Sequence, residues 1–205
     1  MIKSVIFDIG GVVVMEPHDS WKNIFSEIGP SVGIPADRLV LEFQNNIDAI
    51  QNGSITLLDF YRNLVKVTRK NIKPENLLKK HLEIYMKLSG RYDQDVLGLI
   101  KKLRQKFLVA CFTNIEPELV KLHRERGLFD CFDRAFISTE MGMRKPDPEA
   151  CRHVIKELGI RLAEGIFIDN NKEYVDVAEK MGLKGITYTG VHALLKKLPD
   201  YSVNV

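Results

Sequence analysis

The stretch that decides the fold is residues 1–14, MIKSVIFDIGGVVV. Val5, Ile6 and Phe7 form a short apolar run rich in β-branched residues, the pattern of a strand buried on both faces. Asp8 ends the run, and Gly10 and Gly11 follow at once. Glycines at such a point let the chain turn sharply and bring its backbone close to a bound group. Open α/β sheets bind their ligands at the carboxyl ends of strands, which is where this reading puts Asp8. Taken alone, the same carboxylate also reads as a turn former at a strand end. The rest of the chain decides between the two.

After the polar turn MEPHD (15–19) the periodicity becomes helical. Trp21, Ile24, Phe25 and Ile28 share one face, as do Leu39, Phe43, Ile47 and Ile50 after a helix start at Pro35 to Asp37. A third helix opens at Ser54 to Thr56 and carries Leu57, Phe60, Tyr61 and Leu64. A fourth starts at Pro74 and carries Leu77, Leu78, Leu82, Tyr85 and Met86. From Val96 onward helix and strand alternate: helices are expected at 96–106, 117–126, 148–158, 172–181 and 191–197. Strands are expected at 107–112, 135–138, 165–168 and 185–188. Such alternation argues for a parallel sheet with right-handed crossovers, an α/β fold of Rossmann-like type. Strand one must join that sheet from across the helical insertion. The expected division is an α/β core of residues 1–15 and 90–205 with an inserted α-helical cap of 16–89.

Composition narrows the function classes. With 205 residues the chain can bury a sizeable core, and 45% hydrophobic with 28% charged residues is ordinary for a globular protein. The formal net charge is +3, and the basic residues are spread over amphipathic helices, so no nucleic-acid footprint is read. Lysine pairs such as Lys79, Lys80 and Lys101, Lys102 read as solvated helix faces. Cys111, Cys131 and Cys151 make an odd count without CxxC spacing, which reads as reduced thiols. The apolar residues from Val5 to Met15 superficially suggest a signal peptide. Asp8 interrupts them, no small-residue cleavage site follows, and no run approaches the roughly 20 apolar residues of a membrane span. The expectation is a soluble cytoplasmic protein with neither membrane nor nucleic-acid partners; oligomeric state is not legible.

Four polar signals fall at four strand ends. Beside Asp8, strand two ends in Thr113 and Asn114, the loop after strand three holds GMRKPDP with Lys145, and strand four ends in Asp169 followed by Asn170 and Asn171. Each has a structural reading alone: a helix N-cap for Thr113 and Asn114, a surface cation for Lys145, a turn former for Asp169. Their conjunction on one sheet edge makes chance a poor explanation.

This set resembles the haloacid dehalogenase-like hydrolase superfamily along the whole chain. The family's first motif is an apolar strand ending in DxD, matched by Asp8 but with Gly10 at the second acid. FTN (112–114), GMRKPDP (142–148) and IFIDNNKEYVDVAEKMG (166–182) match the other three, Asn170 replacing an acid in the last. QNGSITLLDFYRNL (51–64) resembles a cap segment of the sugar-phosphate phosphatase branch and of the phosphatase domain of epoxide hydrolases.

The resemblance implies Asp8 as a nucleophile forming an aspartyl phosphate that water hydrolyses, with Mg²⁺ as cofactor. The implied metal ligands are an Asp8 oxygen, the Gly10 carbonyl and one or both of Asp169 and Asn170. Lys145, Thr113 Oγ and the Asn114 N–H are the implied partners of the phosphoryl oxygens, with the Ile9 and Gly10 N–H groups as further donors. In family phosphatases the second acid of DxD protonates the leaving alkoxide and then activates water, and Gly10 cannot. Three outcomes stay open: a substrate whose leaving group needs little protonation, a donor elsewhere, for which Glu16, His18 and Asp19 lie close by in sequence, or binding without turnover. A solvated hinge with Asp19 as helix N-cap is the plain alternative for those three residues. The function expected is Mg²⁺-dependent hydrolysis of a small phosphorylated metabolite, with a metal-independent 2-haloacid dehalogenase and a non-catalytic phosphate binder as alternatives.

Overall fold

The computed structural model describes residues 1–17, 20–68 and 70–204. Its centre is a sheet of five parallel strands in the order β3-β2-β1-β4-β5. These are β1 (Ser4–Phe7), β2 (Leu108–Thr113), β3 (Arg134–Ile137), β4 (Gly165–Asp169) and β5 (Lys184–Thr187). β1 lies in the middle because its four residues are buried on both faces. Side chains alternate across it. Val5 and Phe7 join the apolar cluster on one face, while Ile6, Phe112 and Phe167 join the cluster on the other. Phe7 is in register with Cys111 and Ile168, so Asp8, Phe112 and Asp169 lie at one level across adjacent strands, with Thr113 ending β2 one residue further on.

Between β1 and β2 come α1 (Ser20–Val32), α2 (Ala36–Gln51), α3 (Leu57–Thr68), α4 (Pro74–Ser89) and α5 (Gln94–Leu103). The first four pack an aromatic centre of their own. Phe25, Phe43 and Phe60 approach one another at ring-centroid distances of 5.4–6.2 Å, as their helical spacing predicts. Thr56 and Asp59 cap the start of α3 reciprocally. The Asp59 carboxylate accepts from the Thr56 N–H at 3.1 Å, and the Asp59 N–H donates to Thr56 Oγ1 at 3.0 Å. The chain leaves β1 and returns from α4 along two short segments side by side. There the Met15 N–H donates to the Arg91 carbonyl at 3.0 Å and the Asp93 N–H to that of Val13 at 2.8 Å.

The later helices are α6 (Pro117–Glu125), α7 (Ser138–Met141), α8 (Pro148–Leu158), α9 (Lys172–Met181) and α10 (Val191–Lys197). The last three coincide with expectation, since each has a sharp punctuation residue at one or both ends. Helix 96–106 instead starts at Gln94, because the Asp93 side chain caps the N–H groups of Asp95 and Val96. The four-residue α7 has too few turns to announce itself by periodicity. Among the described residues no helix is long and apolar enough to cross a membrane.

Contacts between the inserted helices and the sheet domain are polar as well as apolar. The Glu118 carboxylate, on α6, accepts from the Leu57 and Leu58 N–H groups at 3.1 and 3.0 Å, satisfying the start of α3. Tyr85 and Tyr92 place their hydroxyls 2.7 and 2.9 Å from the two ring nitrogens of His123. Within the inserted helices, the Tyr61 hydroxyl lies 2.7 Å from His81 Nδ1. Both imidazoles are fully buried. Burial lowers His81 to about 3 and His123 to about 4, the latter with help from the Arg126 charge.

An acid-stability prediction follows for His81. Below its ordinary value of about 6.5 the unfolded chain binds a proton that the folded ring refuses, so unfolding becomes easier as pH falls. Asp8 and Glu116, both pushed up to about 7 by burial, act with opposite sign over the same window. A difference between variants therefore isolates the histidine. Whatever fixed cost His81→Leu carries, urea unfolding should show the variant gaining on wild type by up to about 1.4 kcal/mol per pH unit below 6.5. A gap that stays constant from pH 7 to 5 would refute this.

Candidate active site

The carboxyl ends of β1, β2 and β4 and the loop after α7 converge on one ammonium group. Lys145 Nζ donates to Asp8 Oδ1 at 2.7 Å and to Asp169 Oδ2 at 2.6 Å. All three side chains are buried. Two carboxylates with a single cation between them form a buried, charge-assisted cluster.

Lys145 is held from three sides. Behind its ammonium stand the rings of Phe112, Phe167 and Tyr174, each 5.4 Å from Nζ to centroid, a cation–π cage that favours the charged form. The Asn114 side chain clamps the Lys145 backbone at both its polar groups: Oδ1 accepts from the Lys145 N–H at 2.8 Å and Nδ2 donates to its carbonyl at 2.8 Å. Nothing in the sequence ties Asn114 to a loop 31 residues away. The clamp and the cage were both missed, because phenylalanines at alternate strand positions read only as core.

The electrostatics follow from this enclosure. Asp8 is pushed up to about 7, by burial first; Lys145 draws it down, Asp169 raises it and the Ile9 backbone N–H lowers it again. Burial alone would lower the Lys145 ammonium, yet the charges of Asp8 and Asp169 and their hydrogen bonds carry it above the usual lysine range.

Above the cluster opens a cavity of about 580 Å³ lined by Asp8, Gly10, Lys145, Asp169 and Asn170 on the sheet side. Glu16, Ser20, Trp21 and Gln51 line it from the hinge and inserted helices. Thr113, 2% exposed, borders a smaller space of about 50 Å³ beneath, together with Asn114, Glu116 and Gln51. Gln51 Nε2 donates to the buried Glu116 Oε1 at 3.0 Å. Trp21 is half-buried, stacked 4.5 Å from Phe43, and is the one cap aromatic at the cavity wall among those the helical pattern assigned to the cap core.

Two sequence readings change here. Gly10 was read with Gly11 as a turn glycine, but only Gly11 has a positive φ, +70°. Gly11 is also covered: a methyl group added there would lie 2.2 Å from Asn170 Nδ2, so the exposed Asn170 amide lies directly over the loop after β1. Glu16, which the sequence offers both as a donor candidate and as a solvated hinge residue, is half-buried, its Oε1 accepting from the Ser20 hydroxyl at 2.6 Å. Burial raises it above the ordinary glutamate value and the Ser20 bond partly offsets this. His18 and Asp19, the other two hinge candidates, lie outside the described residues.

Among the described residues no three His, Cys, Asp or Glu side chains gather as a metal group. The donors within reach at this edge are all oxygens, from the Asp8 and Asp169 carboxylates, the backbone after Asp8 and the Asn170 amide. That chemistry suits a hard cation and not a soft one.

Over 193 residues, 90% of either chain, the sequence is 24% identical to a D-ribitol-5-phosphate phosphatase of Bacteroides thetaiotaomicron. It is 37% identical over 101 residues to a sesquiterpene phosphatase of Aspergillus oryzae, a match spanning 48% of this chain and only 52% of that one. The fold matches the crystal structure of a HAD-family enzyme from B. thetaiotaomicron in complex with magnesium and inorganic phosphate, with a TM-score of 0.77 at 24% identity. That match covers 94% of this chain and 99% of the other. The family model of haloacid dehalogenase-like hydrolases matches residues 2–182, which include the ends of β1, β2 and β4; the chain belongs to the haloacid dehalogenase-like hydrolases.

Proposed function

We propose that the protein is a Mg²⁺-dependent phosphatase that hydrolyses a small hydroxylated phosphate monoester, such as a sugar or polyol phosphate, through an aspartyl phosphate on Asp8. The observation that carries the reading is the Lys145 ammonium held 2.7 Å from Asp8 and 2.6 Å from Asp169 at the floor of a polar cavity. A buried carboxylate at the mouth of a strand is a nucleophile only where its charge and that of an incoming phosphoryl group are both compensated. Lys145 compensates from one side. Asp8, the Gly10 carbonyl, Asp169 and Asn170 would hold Mg²⁺ on the other. Such a cation, when bound, neutralises phosphoryl charge and orients the group for in-line attack.

In this reading Asp8 attacks phosphorus, Thr113 Oγ and the N–H groups of Ile9, Gly10 and Asn114 donate to the phosphoryl oxygens, and Lys145 steadies the charge throughout. The Asn114 side chain acts on Lys145 as a positioning group. Segment 16–89 serves as a cap that closes over the leaving group and excludes water. Its wall of Glu16, Ser20, Gln51 and Trp21 presents carboxylate, hydroxyl, amide and an indole face, partners for hydroxyl groups and not for a long apolar tail. The relative that matches over 90% of both chains is named for a polyol phosphate, which supports the same class.

The test is release of inorganic phosphate from a panel of sugar, polyol, nucleotide and terpenyl phosphates with Mg²⁺ and with EDTA. Release confined to the Mg²⁺ arm and highest on hydroxylated monoesters is expected. Ligand-induced thermal stabilisation without product, or chloride release from a 2-haloacid in EDTA, would replace the proposal by a phosphate-binding or dehalogenase function.

A further inference from the structure

We infer that Glu16 supplies the proton transfer for which residue 10 has no side chain, an inference that rests on the phosphatase reading above. The backbone at Gly10 is outside the left-handed region that requires glycine. What fills the direction of the missing side chain is a carboxylate: a methyl group added at Gly10 would lie 3.1 Å from Glu16 Oε2. The Ser20 hydroxyl holds the other oxygen, Oε1, at 2.6 Å, so the orientation of Oε2 towards Gly10 is fixed and not incidental. Glu16 and Gly10 line the same cavity as Asp8 and Lys145. The six-residue excursion after Gly10 thus brings an acid back to the volume that a side chain two residues beyond the nucleophile would occupy.

The other buried acid in the neighbourhood is a poorer candidate. Glu116 accepts from Gln51 at 3.0 Å and borders only the smaller space below, not the cavity that holds Asp8 and Lys145. Glu16, by contrast, lines the cavity together with Asp8, Gly10 and Lys145.

The step balances as follows. An Asp8 oxygen bonds to phosphorus as the bond from phosphorus to the ester oxygen breaks, and the Glu16 carboxylic proton passes to that departing oxygen, releasing an alcohol. The Glu16 carboxylate then takes a proton from water as the water oxygen bonds to phosphorus. The bond to Asp8 breaks with its electron pair returning to the carboxylate, and inorganic phosphate leaves. Water is the one co-reactant, and no oxidant or reductant enters.

Leaving-group dependence provides the test. Glu16→Gln keeps the shape and the Ser20 contact, and its folding is checked by thermal melting. On the best alkyl phosphate of the panel, whose alkoxide must be protonated, kcat should fall roughly 10²-fold or more. On p-nitrophenyl phosphate, whose leaving group departs unprotonated, the variant should release a rapid burst of nitrophenolate stoichiometric with enzyme, followed by slow turnover as the aspartyl phosphate waits for a base. Gly10→Asp combined with Glu16→Ala should recover alkyl phosphate turnover by returning the acid from position 10. Equal losses on both esters with no burst, or Glu116→Gln producing the burst instead, would overturn the assignment. Asp8-dependent turnover that Glu16→Gln leaves unchanged would overturn this inference alone; absence of Asp8-dependent phosphate release in the wild type would overturn the phosphatase reading with it.

Discussion

Asp8→Asn is expected to abolish phosphate release, lowering kcat by roughly 10⁴-fold or more, the scale seen when a nucleophile is removed from an otherwise intact site. The amide is nearly isosteric and keeps an oxygen for Lys145, so the loss is chemical. Stability should move the other way. Asp8 is held at about 7, burial being the main cause, against 3.8 in an unfolded chain. Between those values the folded state prefers the protonated acid, so at pH 8 the ionised carboxylate costs stability that it does not cost below pH 3.8. A neutral side chain removes the cost. In EDTA at pH 8 the variant should melt at or above the wild-type temperature, and that advantage should vanish near pH 4. Phosphate assays and melting curves at the two pH values check both halves. Turnover within tenfold of wild type would dismiss Asp8 as the nucleophile.

That an inactive variant should be the more stable one reflects how the site is built, and the same feature governs what was legible in the sequence. Strand ends carrying Asp8, Thr113 and Asp169 announce themselves because a polar residue after an unbroken apolar run is a local signal. So does GMRKPDP. Parallel pairing then brings Asp8 and Asp169 together, since β1 lies between β2 and β4, and alternation of helix and strand was enough to anticipate such a sheet. The support for Lys145 was not legible. Its cage combines residues from β2, β4 and α9, and its clamp reaches across 31 positions from Asn114; both depend on tertiary placement that no window of sequence contains. The sequence names Glu16 as a donor candidate but does not decide between that role and a solvated hinge, for a related reason. A glutamate in a polar turn reads as solvated, and only the folded path after Gly11 returns it to Gly10. The glycine itself was misassigned because two adjacent glycines offer one explanation, a tight turn, that only the second requires.

Lys145→Met should be the most damaging single change to the folded state. The residue is 3% exposed, and its ammonium is paired with both buried carboxylates. Methionine fills much the same volume against Phe112, Phe167 and Tyr174, so packing changes little. What is lost is the positive charge, leaving two carboxylates facing one another without a counter-ion. Breaking a buried pair in this way costs about 3–5 kcal/mol, and loss of a fixed donor to the phosphoryl group lowers kcat by about 10²–10³-fold. The two effects separate by metal dependence. A divalent cation at the Asp8 and Asp169 edge supplies positive charge that the variant lacks, and it binds the folded state in preference to the unfolded chain. Urea unfolding in EDTA should therefore show the full loss of stability, and millimolar Mg²⁺ should narrow the gap to wild type without restoring turnover. A loss below about 1 kcal/mol in EDTA, the scale of an exposed ion pair, would mean that the cluster is not the buried charge network its geometry describes. A gap unmoved by Mg²⁺ would place the cation elsewhere than between Asp8 and Asp169.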